Sequence, residues 1–522
     1  MNIASFLEHW GITENPFHAE EARHDPVFAR LDERQTAHPD FEKIVGDLAS
    51  PSSSIVFGEK GSGKTAIRIQ LADRIRRHNA KDPDRSVFLI PYDDLNPILD
   101  RFAARAGLRT GSPTADVVKA FSKLRLVDHI DAILQTAVTK LTDEILGQAS
   151  RGADDEHDRM LDPQRITALR KSDAETKRQL LLLGALYDRS PSAVDRVRKL
   201  KRTLRAAADW SKRWWTLAAW FGWIPTALVI AAATQLDPDR EYLSWWMYAL
   251  GATIGLWLVL ILKRYAWDRL KLSRTAKKLH RQIRTCARDH ESIAAALDLV
   301  PNLASDSARL PLSGQDDERY ALMNALLRVL GSMGFSGAIV LVDRMDEPTL
   351  ISGDPQRMRP VVWPLLNNKF LQMPRIGVKA LLPLELRHEL FRESSAFFQE
   401  ARLDKQSLVE RLTWTGSMLY DLCTARLNAC RVDTEKPVAL VDLFASDVSR
   451  QDIVDSLDQM HQPRDAFKLM YQCISEHCQN TTRDQASDDQ DAGYRIPRLI
   501  LETVRKQQAE RVQMFYRGIR PA

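Results

Sequence analysis

The apolar positions of this chain change period several times, and each change marks an element. Ile55-Val56-Phe57 is a short continuous apolar run that predicts a buried strand. Residues 66–77 follow it with Ile67, Leu71 and Ile75 every four positions, which predicts a helix. Residues 86–91 (SVFLIP) predict a second strand, ending in Tyr92-Asp93-Asp94. Two further strand-like runs are residues 337–342 and 376–382. Helical patterns cover 41–48, 116–146, 163–213 (broken at Ser190-Pro191), 318–333, 359–370, 407–430, 453–479 (interrupted at Gln462-Pro463-Arg464) and 498–516. In 407–430 the helical spacing is that of Leu408, Leu412, Leu419 and Leu422. Residues 147–162, 301–317 and 480–493 are polar and read as linkers. Strands alternating with helices predict an α/β protein with a parallel sheet.

Two runs stand outside that alternation. Residues 214–234 and 242–262 carry no charge, and each meets the ~20-residue length of a helix that crosses a bilayer. Trp210, Trp214, Trp215, Trp245, Trp246 and Trp267 crowd their ends, as in the aromatic belt of a membrane interface. Residues 235–241 form an acidic turn between them. Both outer flanks are basic, from Arg196 to Arg213 and from Lys263 to Lys278, so the positive-inside rule puts both flanks and both termini in the cytoplasm. The reading is a two-helix hairpin held in membrane lipid, with the basic flanks facing anionic headgroups. A buried hairpin of a soluble core and a nucleic-acid patch are the competing readings. Gly222, Gly251 and Gly255 suit helix contact, which makes a homo-oligomer a candidate. Residues 266–299 read as a long helix able to pair with 164–213 as a stalk.

Length and charge refine this picture little. A chain of 522 residues needs two or three structural units, and 74 basic against 69 acidic residues is a weak global signal. The five cysteines, Cys286, Cys423, Cys430, Cys473 and Cys478, form no C-x-x-C pair, and Cys473-His477-Cys478 has the wrong spacing for a common zinc site. They read as buried thiols. The N-terminal MNIASFLEHW lacks a signal-peptide pattern.

The chemistry is concentrated in Gly58-Glu59-Lys60-Gly61-Ser62-Gly63-Lys64-Thr65, which fits G-x-x-x-x-G-K-[ST] between a strand and a helix. The glycines let the backbone turn its N–H groups onto a phosphate, and the helix that follows presents its positive end to it. Lys64 supplies charge to the β- and γ-phosphates and Thr65 a hydroxyl to Mg²⁺, so the implied ligands are ATP and Mg²⁺. The strand 337–342 closes in Asp343-Arg344-Met345-Asp346-Glu347. Asp343 is the candidate metal ligand, and Asp346 or Glu347 the candidate to orient and deprotonate water. Asp93 and Asp94 sit at the end of a strand, where α/β sheets bind ligands, though solvated loop acids explain them as well. Lys64 and Asp343 are about 280 positions apart, far more than one crossover needs, so the apolar hairpin reads as an insertion within the nucleotide-binding fold.

With these motifs the chain resembles the KAP-type P-loop ATPases, STAND/AAA+-related proteins in which transmembrane helices interrupt the nucleotide-binding fold. Asn15-Pro16-Phe17 and Pro463-Arg464-Asp465 are more similar to bacterial origin-recognition-like AAA+ ATPases. The resemblance implies that Arg464 is a sensor-2 arginine touching the γ-phosphate. It departs from both families: Arg344 replaces the second of two adjacent acids, and Leu382-Pro383 stands where a polar sensor-1 residue is expected. Arg375, Arg387 and Arg392 are equivalent candidates for an arginine finger.

The expected architecture is a P-loop NTPase sheet of the ASCE/AAA+ kind. Residues 1–96 and 318–400 form its two parts, 97–317 are a helical insertion, and 401–522 a C-terminal helical lid. The expected activity is Mg-dependent ATP hydrolysis driving a membrane-anchored switch in the bacterial inner membrane, acting through an effector protein. The resemblance adds a role in defence against phage. A membrane-tethered, DNA-binding ATPase is the alternative, resting on Arg498, Arg505, Lys506, Arg511, Arg517 and Arg520. A nucleotide-binding scaffold without turnover is the third.

Overall fold

The structure is a computed structural model that describes residues 1–18, 22–31, 36–108, 111–148, 160–207, 209–236, 243–303, 309–432, 436–481 and 492–516. Residues 237–241 of the acidic turn, most of the linkers 147–162 and 480–493, part of 301–317, and Arg517 and Arg520 lie outside the described residues.

The chain enters the sheet at β1 (Ser54–Gly58), crosses through α1 (Lys64–Lys81) and forms β2 (Ser86–Tyr92). It then leaves the sheet. Among the helices that follow are α2 (Leu126–Leu146), α3 (Trp210–Phe221), α4 (Ile224–Leu236), α5 (Leu243–Ile261) and α6 (Asp268–Gln282). After α7 (Asp316–Ser332) the chain returns as β3 (Phe335–Val342) and pairs directly with β2, Tyr92 opposite Val342. β4 (Ile376–Pro383), α8 (Leu384–Leu390) and β5 (Ser407–Val409) complete a five-stranded parallel sheet of order β2-β3-β4-β1-β5. A long excursion therefore separates two paired strands.

The two sheet faces have different partners. Phe57, Ile90, Val340 and Leu382 belong to one apolar core with Ile133 and Leu134 of α2, Leu183 and Ile293. One face of the sheet and the insertion are therefore one packed unit. The other face, with Val56, Leu89, Ile339 and Leu381, packs on Ile67, Leu71 and Ile75 of α1 and on Phe41 and Ile44. A third core joins the N-terminal residues Phe6, Leu7, Ile12 and Phe17 to four C-terminal helices. These are α9 (Gly416–Ala429), α10 (Arg450–Asp458), α11 (Pro463–Asn480) and α12 (Arg498–Tyr516). The Asn15-Pro16-Phe17 segment belongs here: the buried Arg426 Nε donates to the Pro16 carbonyl at 2.7 Å.

Several sequence expectations change. The pattern 116–146 is two helices, Thr114–Phe121 and Leu126–Leu146, 163–213 breaks also at Ser172 and after Thr203, and 359–370 holds the end of one helix, Pro355–Val362, and a short one, Asn368–Leu371. Residues 407–430 are not one helix: Ser407–Val409 pairs with β1, and α9 begins only after Thr415, whose side chain caps it. The leucine spacing spans a strand and a turn, and the sheet thus runs past residue 400, where the lid was expected to begin. The run 266–299 is also two helices, with α6 ending at Gln282 and a second helix at His290–Asp298.

The first apolar run is likewise broken, between α3 and α4 at Gly222-Trp223. Pro225 has no N–H to give the Phe221 carbonyl, and Trp257 Nε1 takes the Ala219 carbonyl at 2.9 Å. The Trp257 ring lies so close to Gly222 that a Cβ there would stand 2.6 Å from Cδ1. Gly251 and Gly255 face open space. The stretches Lys212–Gln235 and Trp245–Gln282 are long and apolar enough to cross a membrane, and only 6% and 0% of their most apolar windows is covered by the rest of the protein.

Candidate phosphate-binding site

The loop between β1 and α1 turns through two glycines with positive φ, Gly61 at +99° and Gly63 at +96°. A side chain is strained at either position, which explains the residue type. Gly58 is needed for space: a Cβ there would lie 2.5 Å from Ser62 Oγ. Ser62 Oγ donates to the Glu59 carbonyl at 2.8 Å and fixes the turn. Lys60 is exposed on the loop, and Thr65 is half-buried in the first turn of α1.

Lys64 Nζ donates to the carbonyls of Gly58 (2.6 Å) and Glu59 (2.9 Å). Burial lowers its pKa, against the opposing charges of Asp346, Asp343, Glu385 and Glu59. The acids read from sequence thus divide. Asp343, at the end of β3, is buried and acts on Lys64. Burial pushes its carboxyl up to about 6, with Arg68 the main opposing influence. Its Oδ2 has no hydrogen-bond partner among the described residues and lies 3.6 Å from Arg68 Nε. Asp346 is half-buried and is the strongest charge acting on Lys64. Glu347 is exposed and pairs with Arg344 at 3.6 Å, where Arg344 takes a left-handed φ of +57°.

The segment after β5 and the start of α11 lie against the loop. A Cβ on Gly61 would stand 2.8 Å from Gln462 Oε1 and 3.1 Å from Arg464 Cβ. Arg464 Nε is buried without a hydrogen-bond partner among the described residues. Gln462 donates to the Glu59 carboxylate, which also pairs with Arg411 at 2.5 Å. Trp414 Nε1 donates to the Ser62 carbonyl at 2.9 Å. The Glu59 side chain therefore ties the loop to the segment that follows β5 and to the start of α11.

The structure adds residues that the sequence reading missed. Glu385 is the second residue of α8, two positions past the end of β4, and an acid soon after an apolar strand was the signal already used for Asp343. Arg68, one turn beyond Lys64 on α1, pairs with Asp93, which is thereby drawn into the site. Asp94 instead accepts from the Asn96 amide at 3.2 Å. Of the three arginine-finger candidates, Arg375 bonds the Phe335 and Ser336 carbonyls at the opposite end of β3. Arg387 pairs with Glu410 at 2.7 Å, and Arg392 with Glu389 at 3.4 Å. The cysteines are all free and buried, and among the described residues no group of three His, Cys, Asp or Glu side chains could hold a metal.

The donor set is one ammonium, one hydroxyl, one carboxylate oxygen that has no hydrogen-bond partner among the described residues, and a turn of backbone N–H groups. That set suits a phosphate accompanied by a hard cation such as Mg²⁺, which takes one or two protein oxygens and the rest from phosphate and water. Comparison with protein-family models, with curated proteins and with solved structures finds no match for the chain.

Proposed function

We propose that the protein is a membrane-anchored P-loop ATPase of the KAP or origin-recognition-like kind, in which ATP drives a conformational switch. The observation that carries this reading is the convergence on one loop of residues 343–346, Glu385, Arg411–Trp414 and Gln462–Arg464. Lys64 lies in the field of Asp343 and Asp346, and Arg464 rests against Gly61. Thr65 and Asp343 would hold Mg²⁺, which would neutralise charge on the phosphates. Lys64 would bind the β- and γ-phosphates. Asp346 would orient water and accept its proton, a role its position supports better than that of Glu347. Arg464 would sense the γ-phosphate and draw the C-terminal helices onto the loop; hydrolysis would release them. The two apolar stretches would anchor the protein as a hairpin, with the ATPase on the cytoplasmic side where the basic flanks lie.

The test is ATP hydrolysis by the full chain in detergent or nanodiscs, with Mg²⁺, with and without double-stranded DNA. Turnover unaffected by DNA and abolished by Lys64→Ala supports the switch. Stimulation by DNA moves the DNA-binding alternative ahead. Nucleotide binding without turnover leaves the scaffold.

A further inference from the structure

Arg68 joins the metal-ligand candidate to the insertion. Its guanidinium pairs with Asp93 and lies 3.6 Å from Asp343, so one cation is shared by two carboxylates from neighbouring strands. The strands are tied at the same level, because the Asp343 amide donates to the Tyr92 carbonyl at 3.4 Å. The Tyr92 side chain points into the insertion, where its hydroxyl shares a hydrogen bond of 2.8 Å with His129 Nδ1 on α2. The neighbouring Asp128, 1% exposed at its side chain, takes both Nε (2.8 Å) and an Nη of Arg284.

Arg284 lies just beyond α6, and α5 and α6 belong to one helical stretch, Trp245–Gln282, that contains the second apolar run. The end of that stretch is locked in the insertion. Ala276, Leu279 and Ile283 are fully buried, and Arg105 and Arg101 donate to the Ile283 and Thr285 carbonyls at 3.1 and 3.3 Å.

We propose that Arg68 is a positioning residue that couples metal occupancy at Asp343 to the helix of the second apolar run, through Asp93, Tyr92–His129 and Asp128–Arg284. The proposal rests on the ATPase reading. A divalent ion on Asp343 replaces the nearby guanidinium as its counter-charge and leaves Arg68 to Asp93 alone. The strand end carrying Asp93 and Tyr92 then bears on His129, and α2 on Arg284. By linkage, a displacement imposed on the helix changes the affinity of Asp343 for the ion by the same factor.

The test uses the full chain in nanodiscs, with Leu270→Cys carrying an environment-sensitive fluorophore. Leu270 is 52% exposed on α6, and the native cysteines are buried. Binding of a slowly hydrolysed ATP analogue is measured in the same samples. The expected result is a fluorescence change that requires both nucleotide and Mg²⁺. It is lost in Arg284→Gln while nucleotide affinity stays within about threefold, and it is retained in Arg284→Lys, which keeps the charge. Arg68→Gln removes a competing cation, so it raises the apparent Mg²⁺ affinity several-fold at pH 8; a purely structural role would lower it or leave it unchanged. Nucleotide binding without a fluorescence change overturns the coupling and leaves the ATPase reading standing. So does a full fluorescence change in Arg284→Gln, or an unchanged or lowered Mg²⁺ affinity in Arg68→Gln. No nucleotide binding in the unsubstituted protein overturns both.

Discussion

Arg464 leans on Gly61 so closely that a methyl group on the glycine would stand 3.1 Å from the arginine's Cβ. The start of α11 and the candidate phosphate loop thus share one surface although Gly61 and Arg464 lie 403 positions apart in the chain. On the proposed reading Arg464→Ala is expected to slow ATP hydrolysis by about 10- to 100-fold, because it would remove the cation that contacts the γ-phosphate. ADP affinity should stay within about threefold, since a group that reads the γ-phosphate has little to lose with the diphosphate. Parallel measurements of turnover and ADP binding check this; equal losses in both would show a general role in holding the loop.

The two acids after Asp343 separate by environment. Asp346→Asn should reduce turnover by about 100-fold or more, the size of a lost general base. Glu347→Gln, altering an exposed side chain paired with Arg344, should change it by less than about threefold. Single-turnover rates of the two variants decide between them, and the reverse order would reassign the base.

Much of the geometry of this candidate site was legible in the sequence because a tight turn between a strand and a helix is a local device. Gly58, Gly61, Gly63, Lys64 and Thr65 meet the needs of one turn and one helix end, so their spacing carries the geometry. Asp343 was legible for the same reason, as the polar end of a buried strand. Asp346 and Glu347 could not be told apart, because the left-handed turn at Arg344 decides which faces Lys64. Arg68 could not be found, since an arginine on a helix reads as solvated until Asp93 and Asp343 are seen beside it. β5 was misread because three residues are too few to show a period, and only pairing with β1 makes them a strand. The break at Gly222 depends on Trp257 from another helix, which no local pattern reports.

Asp343 gives the pH dependence. Its folded pKa of about 6 lies above the ordinary 3.8. Between those values the folded protein holds a proton that the unfolded chain has released, so this group's contribution to stability falls as pH rises through about 4 to 6. Mg²⁺ needs the ionised carboxylate. At limiting Mg²⁺, turnover should therefore fall about tenfold per unit below pH 6, and raising Mg²⁺ should move the midpoint lower. Profiles at two Mg²⁺ concentrations test this, and a midpoint indifferent to Mg²⁺ would remove Asp343 from the metal site.

Lys379 is fully buried in β4, its Nζ without a hydrogen-bond partner among the described residues, and desolvation lowers its pKa to about 8. A shift of that size from 10.5 costs the folded state about 3 kcal/mol at neutral pH. Lys379→Met keeps the volume and removes the charge, so the unfolding midpoint should rise by about 3 °C at pH 7. The unfolded chain binds the proton more strongly between pH 8 and 10.5, so the unsubstituted protein should gain stability over that range and the advantage of the variant should shrink. Thermal unfolding at pH 7 and pH 10 checks both parts.

The central claim is that the loop around Lys64 binds the phosphates of ATP. Its most direct test is calorimetric titration of Mg·ATP into the full chain carrying Asp346→Asn, so that turnover does not obscure binding. The account predicts one saturable site per chain, weakened at least about 100-fold when Lys64→Ala is added and weakened also when Mg²⁺ is withheld. Binding that is absent, or that is unchanged by Lys64→Ala, would contradict it.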